Sequence, residues 1–210
     1  MYWRHDLVWL APDGWSNCAA MALPGHRAAI ERWQRHDWPA IVRRDDANLA
    51  DGMLCLGLAL PAKGRIALQA ANGQVARREA PLALRKSIAS APPAWQSRLA
   101  ALEAESTGLT LRVYGSLALQ ALTGQPYTNE HSDIDLLLYP ATPAQLQAGV
   151  KLLTRHASVL PLDGEIVFPN GACVAWKEWA GADQLGARVL VKDRRTVCLA
   201  AREALLASLG

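Results

Sequence analysis

The run "SDIDLLLYP", Ser132 to Pro140, sets two carboxylates, Asp133 and Asp135, among Ile134, Leu136, Leu137 and Leu138. Apolar residues at that density belong in a core, and an unpaired carboxylate there is costly. A strand resolves the conflict. Residues two apart share a face, so Asp133 and Asp135 converge while Ile134 and Leu136 enter the core on the other side. Two neighbouring carboxylates repel unless a cation neutralises them. Oxygen ligands of this kind suit Mg²⁺, which takes one or two carboxylates and completes its shell with water and substrate phosphates. The cation is therefore expected to arrive with a phosphorylated substrate.

The residues upstream supply the other half of such a site. "LTLRVYG" reads as a strand ending at Gly115, and Ser116 to Leu122 as a short helix capped by Ser116 and closed by Gly124. Backbone N–H groups at a helix N-terminus favour an anion, and Gly115 lets a phosphate approach closely. The Ser116 hydroxyl can donate as well. Gly-Ser or Asp-x-Asp alone says little. In the order strand, Gly-Ser, helix, loop, Asp-x-Asp they point to a phosphate-and-metal site. Ser116 and Asp133 lie 17 positions apart, which leaves room for the loop "QPYTNEHS", Gln125 to Ser132.

Composition limits the alternatives. The 210 residues are 51% hydrophobic, enough for a full core in one domain or two small ones. The most apolar window, Met53 to Ala62, is too short to cross a bilayer, and no basic n-region leads into an apolar stretch, so a cytoplasmic protein is expected. Cys18, Cys55, Cys173 and Cys198 form no Cys-x-x-Cys pair and read as buried, reduced thiols. The net charge of +3 is uneven: 12 Lys+Arg against 8 Asp+Glu up to Ala91, and 10 against 11 from Pro92 onward. The first half could meet phosphates or an acidic partner.

Punctuation gives the organisation. "SIASAPPA", Ser87 to Ala94, reads as a linker between a domain at 1–86 and another at 95–210. Before it, Pro39 to Arg44, Met53 to Leu60, Arg65 to Ala70 and Gln74 to Arg77 are strand-like, broken at Asp51-Gly52, Lys63-Gly64 and Asn72-Gly73, with one helix at about Pro24 to Arg35. Five of eight tryptophans fall in the first 38 residues and suit a small, tryptophan-rich core. After it, helices are expected at Trp95 to Glu105, Pro143 to His156 and Val197 to Leu209. Strands are expected at Asp133 to Tyr139 and Arg188 to Lys192, with a hairpin of Glu165 to Phe168 and Ala172 to Lys177 across Pro169-Asn170-Gly171. The fold class is α+β, with a β-rich N-terminal domain.

"VYGS" followed by "SDIDLLL" resembles the nucleotidyltransferase superfold, which implies a polymerase-beta-like second domain. There a Gly-Ser turn holds a triphosphate, and two strand carboxylates, plus a third from a later strand, hold Mg²⁺. The chain is still more similar to the malonate decarboxylase holo-acyl-carrier-protein synthases, also called phosphoribosyl-dephospho-CoA transferases. That resemblance runs through "RHDLVWL" near the start, "LRVYGSLALQALTG" and "SDIDLLL" in the middle, and "LDGEIVFPNGACVAWKEW" late. It implies one reaction: a serine of the apo acyl carrier protein subunit of malonate decarboxylase attacks triphosphoribosyl-dephospho-CoA and expels pyrophosphate. Asp133 and Asp135 are then the metal ligands.

For the third carboxylate, "PLDGEIVF" offers Asp163 and Glu165, two apart, between which the sequence does not choose; Asp163-Gly164 could equally form a turn. Lys192, at the end of "VLVK", is the candidate for holding the leaving phosphates, with Arg194 and Arg195 beyond it. Two rival functions are a nucleotidyltransferase of the same fold that adenylylates a small molecule or another protein, and a non-catalytic nucleic-acid-binding module. The basic residues are not interleaved with aromatics along one stripe, which argues against nucleic acid.

Overall fold

The computed structural model describes residues 1–61, 64–182, 184 and 186–210. They form two compact units, Met1–Pro81 and Leu82–Gly210, each with its own sheet.

In the first unit β1 (Leu7–Leu10) is followed by helices α1 (Pro12–Met21) and α2 (Arg27–Arg35), then β2 (Ala40–Val42), β3 (Met53–Ala59), β4 (Arg65–Ala71) and β5 (Val75–Glu79). The antiparallel sheet runs β4-β3-β2-β1-β5. Alternation sets the register of its longest ladder: Leu54, Leu56 and Leu58 stand beside Ala70, Leu68 and Ile66, and all six are buried. Trp9, Trp15, Trp33 and Trp38 are also buried, as a tryptophan-rich core requires. Trp33 and Trp38 meet edge to face at 5.0 Å, and Trp33 Nε1 donates to the Pro39 carbonyl. The unit holds a second helix, α1, which the single expected helix did not include. Ala62 and Lys63, and with them the expected Lys63-Gly64 turn, lie outside the described residues.

The division between units falls at Pro81/Leu82, and 87–94 is not a linker. In the second unit β6 (Leu82–Ala83) pairs with β7 (Leu111–Val113), and α3 (Leu84–Ser87) follows at once. Leu84 and Ser87 are fully buried, and Ser87 Oγ donates to the Leu84 carbonyl. Pro93 begins α4 (Pro93–Glu105), because proline's fixed φ and missing N–H suit the first turn of a helix. The prolines that suggested a break are a helix start.

After β7 come α5 (Gly115–Thr123), β8 (Ile134–Leu138), α6 (Pro143–His156), β9 (Leu162–Val167), β10 (Cys173–Ala175), α7 (Trp176–Gly181), β11 (Arg188–Lys192), β12 (Val197–Ala201) and α8 (Arg202–Leu206). The sheet order is β12-β11-β10-β9-β8-β7-β6. Only the β8–β9 pair is parallel, and α6 makes the crossover that a parallel pair needs. Ile134, Leu136 and Leu138 join Leu99, Leu102, Leu117, Leu153 and Phe168 in one core. Leu137 faces the other way, with Val167 and Cys173. The expected C-terminal helix is therefore a strand, β12, and then a short helix. Cys18, Cys55 and Cys173 are buried free thiols, whereas Cys198 on β12 is exposed. Among the described residues no helix is long and apolar enough to cross a membrane.

Candidate active site

Parallel pairing of β8 with β9 brings the acids together. Asp135 stands beside Asp163 in register, and Leu137 beside Glu165. Asp133 lies just ahead of β8, on the face of Asp135 by alternation, and is exposed. Asp163 belongs to the strand and not to a turn. It is the acid level with Asp135, whereas Glu165 sits one step deeper and is only 6% exposed.

Glycine makes that pairing possible. At Gly164, where φ is 128°, a Cβ would lie 1.9 Å from the Leu136 carbonyl oxygen. No side chain fits between the two strands at this point.

The Gly115 turn closes on the same acids. Tyr114, the residue before α5, donates its N–H to the Asp135 carbonyl at 3.1 Å. Gly115 has a φ of 65°, and a Cβ there would lie 2.1 Å from Asp135 Oδ2. The Asp135 carboxylate is thus packed against the first residue of α5, and the helix N-terminus and the acids form one site. Ser116 is half-buried in the first turn of the helix; Tyr114, not Ser116, occupies the cap position, and no side chain caps the helix.

The electrostatics follow. Burial pushes the Asp135 carboxyl up to about 6, and the negative charges of Asp163, Asp133 and Glu165 add to the rise. A cation beside these acids is Lys177, whose Nζ lies 3.5 Å from Asp163 Oδ1. Lys177 is the second residue of α7, which begins directly after the strand that pairs with β9. Within "WKEW" no local pattern gives it a role. Lys192 stands in the row of Cys173 and Val167, two residues along β9 from Glu165 and four from Asp163. Those offsets are about 7 Å and about 13 Å along the strand direction.

In the intervening loop, the backbone N–H groups of Tyr127 and Thr128 both donate to Gln120 Oε1, which ties the loop to α5. His131 is exposed. A groove of 950 Å³ runs between α6, α7 and α8, and none of the four acids is among its lining residues.

The donor set fits a hard divalent cation. Asp133, Asp135 and Asp163 offer carboxylate oxygens, and burial together with the neighbouring negative charges raises the pKa of Asp135. Among the described residues no group of three or more His, Cys, Asp or Glu side chains forms a ready-made cage. A cation that keeps water and phosphate oxygens in its shell needs fewer protein ligands.

Two family descriptions cover nearly the whole chain: Phosphoribosyl-dephospho-CoA transferase MdcG N-terminal domain matches residues 3–81, and the MdcG C-terminal domain matches residues 83–203. A phosphoribosyl-dephospho-CoA transferase of Xanthomonas campestris pv. campestris is 42% identical over 209 residues, covering 96% of this chain and 95% of that protein. Proteins of the same name from Bradyrhizobium diazoefficiens and Azotobacter vinelandii are 35% and 32% identical. They cover 93% and 90% of this chain, and 88% and 87% of their own lengths. No solved structure matches.

Proposed function

Because the chain belongs to the phosphoribosyl-dephospho-CoA transferase family, and is therefore a transferase, we propose that its substrates are triphosphoribosyl-dephospho-CoA and the apo acyl carrier protein subunit of malonate decarboxylase. A serine Oγ of the carrier forms a bond to the α-phosphorus, the bond from that phosphorus to the β-phosphate oxygen breaks, and pyrophosphate leaves as the hydroxyl proton is released. The carrier keeps phosphoribosyl-dephospho-CoA in phosphodiester linkage. The observation that carries this reading is the packing of Asp135 Oδ2 against Gly115, with Asp163 in register beside Asp135.

The roles follow from position, in a second unit read as a nucleotidyltransferase-like domain. The N–H groups at the start of α5 and the Ser116 hydroxyl orient phosphate oxygens at a site where backbone approaches without a side chain. Asp133, Asp135 and Asp163 would hold Mg²⁺. When bound, the cation neutralises phosphate charge and lowers the pKa of the attacking hydroxyl. Lys177 stands where it can reach the leaving pyrophosphate as a flexible point charge. Glu165, buried beside Leu137, adds negative charge behind Asp135 and is farther from the Gly115 turn.

The test is incubation with apo carrier protein, Mg²⁺ and the triphosphoribosyl precursor, reading the mass of the carrier. A gain equal to phosphoribosyl-dephospho-CoA is expected, together with release of pyrophosphate. No gain with the precursor, but an adenylyl-sized gain with ATP, would replace this reading with an adenylylating enzyme.

A further inference from the structure

We propose that β12 is the two-fold seam of a homodimer, in which the seven-stranded sheet continues into that of a second copy. The proposal is independent of the reaction above. β12 is an edge strand of sequence Val197-Cys198-Leu199-Ala200-Ala201, without a charge or a proline. Val197 and Leu199 are 43% and 54% exposed, and they are two of the few large hydrophobic side chains that the described residues leave in solvent. Natural edge strands are usually blunted by charge, proline, a bulge or a cover, because an open ladder recruits another strand. This strand carries neither of the first two.

The backbone pattern shows which groups face outward. Asp193 N donates to the Thr196 carbonyl and Arg202 N to the Ala187 carbonyl, which fixes the hydrogen-bonded phase of the β11–β12 ladder. In that phase Cys198 and Ala200 bond inward to β11, whereas Val197, Leu199 and Ala201 direct their N–H and C=O groups to the open edge. The Leu199 carbonyl accepts from Arg188 Nη2 at 2.9 Å and retains its second lone pair for another donor.

The occupant that fits is the same strand. Antiparallel pairing about Leu199 makes Leu199 a hydrogen-bonded pair with Leu199 of the second copy, and sets Val197 opposite Ala201 twice over. Six backbone hydrogen bonds form, two at each of the three pairs, and each large side chain at the ends meets a small one. Arg195 and Glu203 flank the strand at four positions on either side of Leu199, so the two-fold operation turns the basic end of each copy toward the acidic end of the other. An isologous contact needs this self-complementarity, and an unrelated peptide would match it only by chance.

Sedimentation of the full chain at about 100 µM, above the dissociation constant expected even for a small interface, should give twice the 22.7 kDa chain mass. Leu199→Lys should halve that mass with an unchanged circular dichroism spectrum. Val197→Lys should do the same and guards against a folding defect in the first variant. In a Cys198→Ser background, Leu199→Cys should cross-link under mild oxidation, since hydrogen-bonded antiparallel pairs bring Cα atoms to about 5.5 Å, within disulfide range. Cys198→Ser alone should not cross-link. A monomeric wild type, a dimer that survives both lysine variants, or a Leu199→Cys variant that does not cross-link would each overturn the proposal. So would a wild type that is monomeric and uses β12 only to bind the carrier protein.

Discussion

Asp135 holds the largest electrostatic tension in the site, and that tension makes it testable without the substrate. Its raised pKa means that the folded protein binds the proton more tightly than the unfolded chain, where an aspartate titrates near about 3.9. Stability from this group is therefore fully present below the unfolded pKa. It is lost as pH rises through about 6, by on the order of 3 kcal/mol once both states are ionised. Asp135→Asn keeps the shape and removes the charge. In metal-free buffer the variant is expected to melt several degrees above wild type near pH 8 and level with it near pH 4, with transfer abolished throughout. Mg²⁺ should raise the melting temperature of wild type and leave that of the variant in place. Equal melting temperatures near pH 8 would show that the four acids are offset by other charges. The same residues explain why this part of the site was legible. Alternation alone puts Asp133 and Asp135 on one face, and a strand turning at Gly-Ser marks a helix N-terminus. Which of Asp163 and Glu165 stands level with Asp135 depends on the β8–β9 register, which no local pattern encodes.

Among the elements, β9 depends on Gly164 as β8 depends on its alternation. Gly164→Ala sets a methyl group 1.9 Å from the Leu136 carbonyl oxygen at a φ of 128°, so the two strands must part where they carry Asp135 and Asp163. A loss of about 3 kcal/mol or more is expected in denaturant titration, and transfer activity should fall even where the variant remains folded. Normal activity in a folded Gly164→Ala protein would mean that the register of these two acids does not matter. Elements with one clear period were legible: α6 and β11 lie where their spacing puts them. α1 escapes a reading by period because Gly14 and Asn17 interrupt its pattern, although Pro12 at its first position is a start signal. β12 has the local composition of a helix, since "VCLAAREALLASL" is rich in alanine and leucine. Its hairpin is set instead by Asp193, whose Oδ1 accepts from Arg195 N at 2.6 Å and Thr196 N at 2.5 Å. Lys177 is silent in the sequence because its meaning comes from β10 ending opposite Glu165, which carries the start of α7 to Asp163.

For the whole molecule, moving the boundary changes what the charge says. Division at Pro81/Leu82 assigns Arg85 and Lys86 to α3, so the first unit carries 10 Lys+Arg against 8 Asp+Glu and the second 12 against 11. The basic first half was a product of the misplaced linker. With formal charges of +2 and +1, neither unit supplies a long-range field that would steer a carrier protein. Strong charge is instead local: the acids around Asp135, the helix N-terminus at Gly115, and Lys177. Raising salt from about 0.1 M to about 1 M at fixed Mg²⁺ shortens the screening length from about 10 Å to about 3 Å. Exposed pairs between Lys177 and a polyphosphate should weaken with it, because Lys177 is more than half exposed. Steady-state kinetics are therefore expected to show the KM for the triphosphoribosyl substrate rising several-fold over this range while the KM for the carrier protein changes by less than about twofold. A carrier KM that climbs as steeply as that of the triphosphate, or more steeply, would locate a charged docking surface that the balance of the two units does not suggest, and would return the electrostatic role to the partner protein.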